Sequence, residues 1–282
     1  MATWAAEAVE LPDAVRYTVT AGAEPTDRWR VSVALPPASE KGPFPVLYLL
    51  DGFLTFVVAA QVARTTRAFS LGQLQPVAVV GISPDTDDPA RLIAQRVRDL
   101  TPTSASSPYL RTKPAHGTGG AAAMLDLITE VIAPHVESAH PLNPGDRALG
   151  GFSLGGLMAC WTLLRRPERF RKFLAVSPSL WWDDRLLLDD LRSPIADRGA
   201  SNVYLAAGER EDSPDRGWPV LPTEMRKDLA GLDMIADLAA FTARLRERPD
   251  IDVRTEVIPD EQHATIWPAA VTRALVHLYR TP

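Results

Sequence analysis

The 282-residue chain is 46% hydrophobic and carries a formal net charge of -5, with acids and bases interspersed. That length fits one large α/β domain, so a single domain over residues 1–282 is expected. No Lys/Arg stripe marks a nucleic-acid footprint and no basic amphipathic helix marks a membrane surface, so neither is expected as a partner.

The first ten residues hold no basic stretch followed by an apolar run, and no apolar run approaches the ~20 residues of a membrane span. The single cysteine, Cys160, excludes an intrachain disulfide. These features together lead to the expectation of a cytoplasmic protein. Val15–Val19 and Trp29–Val33 alternate apolar and polar residues and read as an antiparallel opening pair. Pro45–Leu50 and Val77–Val80 are apolar throughout and read as strands buried on both faces.

Farther along, Leu125, Ile128 and Ile132 share a helical face, and Pro134 is expected to close that helix. Arg147–Leu149 reads as a strand. Leu157, Trp161 and Leu164 then line a helix that Arg165, Arg166 and Pro167 bring to an end. Phe173–Val176, Val203–Ala206 and Val253–Ile258 complete the strands. Helices are expected from Met234 to about Arg246 and from Pro268 onward, where Val271, Leu275 and Leu278 share a side. This alternation predicts an α/β fold, a mostly parallel sheet with helices on both faces. Two segments break the rhythm. Ser83–Gly120 is rich in Pro, Ser, Thr and Gly, and Ser213–Leu232 holds Pro214, Pro219 and Pro222 around Trp218. Both are expected to be lid-like loop insertions.

Gly151-Phe-Ser-Leu-Gly155 matches the G-x-S-x-G pattern of a nucleophile elbow. A serine on so sharp a strand-to-helix turn has a strained backbone. Side chains at the flanking positions would collide with the neighbouring strand and helix, so glycine stands at both. Gly150 and Gly156 add further room. The pattern follows a short apolar strand and opens an amphipathic helix, the setting of the α/β-hydrolase fold, with Ser153 as nucleophile. In that fold the acid and then the histidine follow the serine along the chain. Only His263 and His277 follow it here. His263 comes directly after the last strand, where a loop can carry it over the serine, and is the expected base. His277 lies within the final helical pattern. His116, His135 and His140 precede the elbow and receive no catalytic role. The acid is sought just past Val203–Ala206, in Gly208–Asp212. Three carboxylates compete there, with Glu211 preferred to Asp212 and Glu209; a Ser–His dyad would also be viable. An oxyanion hole needs two backbone N–H groups. Leu154 is expected to supply one and Phe53, in the loop Asp51–Leu54, the other, with Gly52 allowing the tight turn.

At these motifs the sequence resembles the esterase-D and enterochelin-esterase-like superfamily, nearest the catecholate-siderophore trilactone hydrolases. Val46–Gly52 resembles the family's strand and oxyanion loop, Arg96–Pro102 its R-x-x-D-[YL]-T-P segment, and Gly119–Ala121 its helix opening. Gly151–Leu157 is the elbow, and Ser177–Trp182 resembles the S-P-S-x-W-W run. Gly208–Glu211 and His263 occupy the acid and base positions. The resemblance implies hydrolysis of siderophore-like or other carboxylic esters without metal catalysis. It also implies that Arg96 orients the small-molecule ester substrate; a structural Arg96 paired with Asp99 is the alternative. Trp181 and Trp182 either stack on an aromatic acyl group or pack in the core. Ser213–Leu232 is longer than the family's counterpart and is expected to reshape the pocket.

The expected activity is therefore that of a serine carboxylester hydrolase working through an acyl-enzyme. An acyltransferase on the same residues, or a non-catalytic ligand-binding protein of the same fold, are the rivals. No Cys/His cluster has zinc spacing and no glycine loop matches a phosphate or dinucleotide fingerprint, so no metal or cofactor is expected.

Overall fold

Alternation of apolar and polar side chains pairs β1 (Ala14–Thr20) with β2 (Arg28–Ala34) antiparallel, with Val15 opposite Val33 and Val19 opposite Trp29. The remaining strands are β3 (Phe44–Leu50), β4 (Ala78–Pro84), β5 (Leu142–Phe152), β6 (Lys172–Val176), β7 (Ser201–Gly208) and β8 (Ile251–Ile258). The computed structural model describes residues 10–21, 27–105, 117–190, 201–212 and 232–281. Among these residues the eight strands form one sheet in the order β1-β2-β4-β3-β5-β6-β7-β8. β2 runs antiparallel to both its neighbours, and every pairing from β4 through β3 to β8 is parallel.

The helices are α1 (Gly52–Phe69), α2 (Pro89–Leu100), α3 (Ala121–Asp126), α4 (Ala133–Ala139), α5 (Leu154–Arg165), α6 (Trp182–Asp190), α7 (Met234–Arg246) and α8 (Ile266–Leu278). Strands buried on both faces need cover on both. Val46, Tyr48 and Leu50 of β3 point into one core, with Val97 of α2, Met124 of α3, Leu157 of α5 and Phe241 of α7. Leu47 and Leu49 point the opposite way, onto Phe56 and Ala59 of α1 and Val271 and Leu275 of α8. Between these two layers the C-terminal ends of the parallel strands open at one edge, where ligand sites of open α/β sheets are built.

Three local expectations differ from what is observed. The segment Ser83–Gly120 contains α2, whose N-terminus is capped by Asp88 accepting the Ala90 N–H at 2.9 Å with Pro89 in the first turn. The loop-forming residues that masked it lie outside the helix body. Residues 106–116 of that segment, with His116, and residues 213–231 of the second insertion lie outside the described residues. Pro134 does not end its helix. The chain widens into a π-helical turn over Leu127–Ile132, where the Ala133 N–H reaches the Ile128 carbonyl, and continues as α4. The wider turn relieves the crowding that a proline ring imposes on the carbonyl four residues back. α5, read as one-sided, is buried nearly all round, through Leu157, Met158, Cys160 and Leu163.

Candidate active site

Ser153 links β5 to α5 with φ 59 and ψ -115, a conformation costly to any residue with a Cβ. Backbone hydrogen bonds hold it there. Its N–H donates to Val176 O at 2.9 Å, and its carbonyl accepts from Leu157 at 2.9 Å and Ser179 at 3.2 Å. A Cβ on Gly151 would stand 2.4 Å from the carbonyl carbon of Gly155, so the obstacle is the first turn of α5 itself. A Cβ on Gly155 would come within 3.2 Å of Leu50 at the end of β3. The two glycines therefore let the serine project from a turn packed tightly against its neighbours.

The acid region forms a turn directly after β7. Glu209 N–H donates to Ile258 O at 3.0 Å and Arg210 N–H to Glu261 O at 2.9 Å, which fastens this turn to the loop carrying His263. Glu211 points inward, its side chain 1% exposed. Its Oε1 accepts the Gly208 N–H at 2.9 Å and the Ser177 hydroxyl at 2.5 Å, while its Oε2 lies 3.2 Å from His263 Nδ1. The other two carboxylates are engaged elsewhere. Glu209 is exposed and accepts the Asp260 N–H at 3.1 Å. Asp212 accepts the Met234 and Ile235 N–H groups at 2.7 and 3.0 Å, capping α7 from a distance. Asp212→Ala should accordingly lower unfolding free energy by about 1 kcal/mol, the usual worth of a cap, in a thermal melt. Ester turnover should stay unchanged; a loss of turnover without destabilisation would make Asp212 a candidate acid again.

The imidazole of His263 packs against the ring of Phe152, the residue before the serine, with centroids 4.5 Å apart. In this structure the Ser153 hydroxyl bonds to Ser179 Oγ at 3.4 Å, and among the described residues it makes no bond to His263. His277 is half-buried on α8 beside Tyr204, where burial lowers its pKa. His140 bonds to the Tyr17 hydroxyl at 2.9 Å on the far edge of the sheet.

On the other side of the elbow, Asp51 turns the chain out of β3 in a left-handed conformation, φ 55 and ψ 43. Its carbonyl accepts the N–H groups of Leu54 and Thr55 at 2.8 and 3.0 Å. Asp51, rather than Gly52, makes the tight turn. Gly52 is required because a Cβ there would lie 2.7 Å from the backbone of Gly81 and Ile82 in β4. The N–H groups of Phe53 and Leu154 donate to no acceptor among the described residues.

Arg96 reaches this corner from α2, but its partner is not the one read from the sequence. Its Nε donates to Asp51 Oδ1 at 2.7 Å. Asp99 faces β2 instead, bound by Arg98 at 2.7 Å and by the indole of Trp29 at 2.9 Å. Trp182 is 1% exposed and its indole N–H bonds to Thr103 Oγ1 at 3.0 Å, so it packs in the core and offers no stacking face. Trp181 is half-buried, its ring 6.2 Å from that of Trp182.

The family model described as "Putative esterase" matches residues 22–262. The chain belongs to this esterase family. It is an ester hydrolase of the enterochelin-esterase-like superfamily, with the mixed α/β architecture of that group. The esterase is 28% identical over 253 residues to the siderophore triacetylfusarinine C esterase of Aspergillus fumigatus, covering 85% of this chain and 82% of the relative. It is 29% identical over 251 residues to the ferri-bacillibactin esterase of Bacillus subtilis, covering 85% and 79%. Among solved structures, the siderophore hydrolase EstA of Aspergillus nidulans superposes with a TM-score of 0.82 at 25% identity, covering 98% of both chains. No helix among the esterase's described residues is long and apolar enough to cross a membrane.

Sequence reasoning passed over four residues that the fold brings to this site: Asp51, Phe152, Ser177 and Ser179. All lie inside or beside motifs already singled out, so proximity to the motif was the available signal.

Proposed function

We propose that the esterase hydrolyses small-molecule siderophore esters through a covalent acyl-enzyme, with Ser153 as nucleophile, His263 as base and Glu211 as orienting acid. The observation carrying this reading is the buried Glu211 carboxylate bonded to His263 Nδ1, with the imidazole packed one residue from a strained elbow serine. That bond leaves Nε2 as the proton acceptor. The serine hydroxyl turns from Ser179 to Nε2 and gives up its proton, and its oxygen attacks the ester carbonyl. The N–H groups of Phe53 and Leu154 receive the charge that develops on the carbonyl oxygen. His263 then protonates the leaving alcohol, and water repeats the sequence to release the acid.

The relatives are esterases of triacetylfusarinine C and ferri-bacillibactin, which supports a siderophore ester as substrate. Phe53, Leu54 and Val57 present exposed apolar side chains on the first turns of α1, and with Trp181 they suit an apolar or aromatic substrate body. The chain is read as one domain over 1–282, since all its described strands share a sheet, and as cytoplasmic on its single cysteine, which suits a reducing compartment.

The test is a panel of ferric and iron-free siderophore esters, feruloyl esters, thioesters and simple aryl esters, with products identified by mass spectrometry. A siderophore ester should be cleaved to free acid with kcat/KM exceeding that of aryl esters by about tenfold or more. A fluorophosphonate should label Ser153. Acyl transfer to added alcohols in place of water would make the protein an acyltransferase, and a folded chain that takes no label would make it a binding module.

A further inference from the structure

The loop after β6 holds two serines, Ser177 and Ser179, both fully buried. Buried hydroxyls are costly unless partnered, so where each one points is informative. Ser177 has φ 45, a left-handed conformation that glycine adopts more easily. Its hydroxyl donates to Glu211 Oε1 at 2.5 Å. The same oxygen accepts the Gly208 N–H, and the other oxygen of the carboxylate faces His263 Nδ1. A carboxylate can swivel about its last C–C bond. Two donors converging on Oε1 oppose that rotation and leave Oε2 aimed at the imidazole.

The hydroxyl is not needed to join the strands. β6 and β7 are already paired from Lys172↔Asn202 to Val176↔Ala206, and the Ser177 backbone N–H extends the pairing by donating to Ala206 O at 2.7 Å. We propose that Ser177 is a positioning residue, whose hydroxyl fixes the Glu211 carboxylate so that its free oxygen orients His263. The inference rests on the reading of Glu211 as the acid.

The test is a double-mutant cycle in the full-length protein. Ser177→Ala and Ser177→Gly are made in the wild-type background and in Glu211→Ala. The glycine variant suits the left-handed backbone and guards against a folding failure. In the wild-type background each should lower kcat about tenfold with KM little changed, the scale of a lost hydrogen bond to a charged group. In the Glu211→Ala background the same substitutions should have almost no further effect, because the group they act through is gone. Equal losses in both backgrounds, or wild-type kcat in both single variants, would overturn the role of Ser177 alone. Wild-type kcat in Glu211→Ala would overturn the acid assignment and this inference together.

Discussion

Ser153→Ala should fold with an unchanged thermal midpoint and lose ester hydrolysis by about five to six orders of magnitude. The elbow supports both halves of this expectation. The strain at φ 59 belongs to the backbone and to the presence of a Cβ, and alanine keeps both. Ser153 makes its structural bonds through its N–H and carbonyl, to Val176, Leu157 and Ser179, and the hydroxyl adds only the long 3.4 Å bond to Ser179 Oγ. What alanine removes is the hydroxyl proposed to attack the ester. Residual turnover would come from the oxyanion donors and from binding, which alone still accelerate the reaction over water. Replacement by glycine instead should raise stability, by about 1 kcal/mol, because it relieves the strain while also removing the nucleophile. Single-turnover kinetics with an aryl ester, alongside a thermal melt, measures both effects. Turnover within tenfold of wild type in a pure Ser153→Ala sample would mean that the nucleophile is another group.

Features set by local chemistry were legible in the sequence. The opening hairpin follows from strict alternation, β3 and β4 from unbroken apolar runs, and the elbow from two glycines at a fixed spacing around a serine. The placement of His263 beside the elbow was legible because chain order left only two histidines and the second fell within a helix. Choices that depend on distant partners were not. Three carboxylates within four residues look alike until β7 and α7 are in place; then Asp212 is taken by the N-terminus of α7 and Glu211 by His263. Arg96 and Asp99 are spaced to share a helix face, yet the buried indole of Trp29 claims Asp99 and the end of β3 presents Asp51 to Arg96. α2 is amphipathic, with Ala94, Val97 and Leu100 buried, and was obscured because Pro, Ser, Thr and Gly crowd the sequence on either side of it. Trp182 reads equally as a stacking surface or as core, and only the depth of its pocket and the Thr103 hydroxyl decide.

The Arg96–Asp51 pair determines the second large effect. The Asp51 side chain is 1% exposed and Arg96 13%, at 2.7 Å. The second oxygen of Asp51 has no hydrogen-bond partner among the described residues, and it lies 3.3 Å from where a Gly155 Cβ would stand, against the first turn of α5. Helix N-termini favour a negative charge, so that location recovers part of the burial cost, but the guanidinium is the only full opposite charge bonded to this carboxylate among the described residues. Arg96→Met keeps the apolar stem and removes the charge. It should lower stability by about 3 kcal/mol, the low end for breaking a buried ion pair, which is a fall of about 5 °C in thermal midpoint. Activity should fall as well, since Asp51 makes the turn into the Phe53 N–H, and an uncompensated anion there opposes the charge that develops on the substrate carbonyl oxygen. Adding Asp51→Asn should restore most of the stability, because both charges are then gone and asparagine tolerates the left-handed turn. An Arg96→Met variant that melts with wild type and differs only in a raised KM would mean that the guanidinium serves the substrate directly, and that Asp51 holds its turn without it.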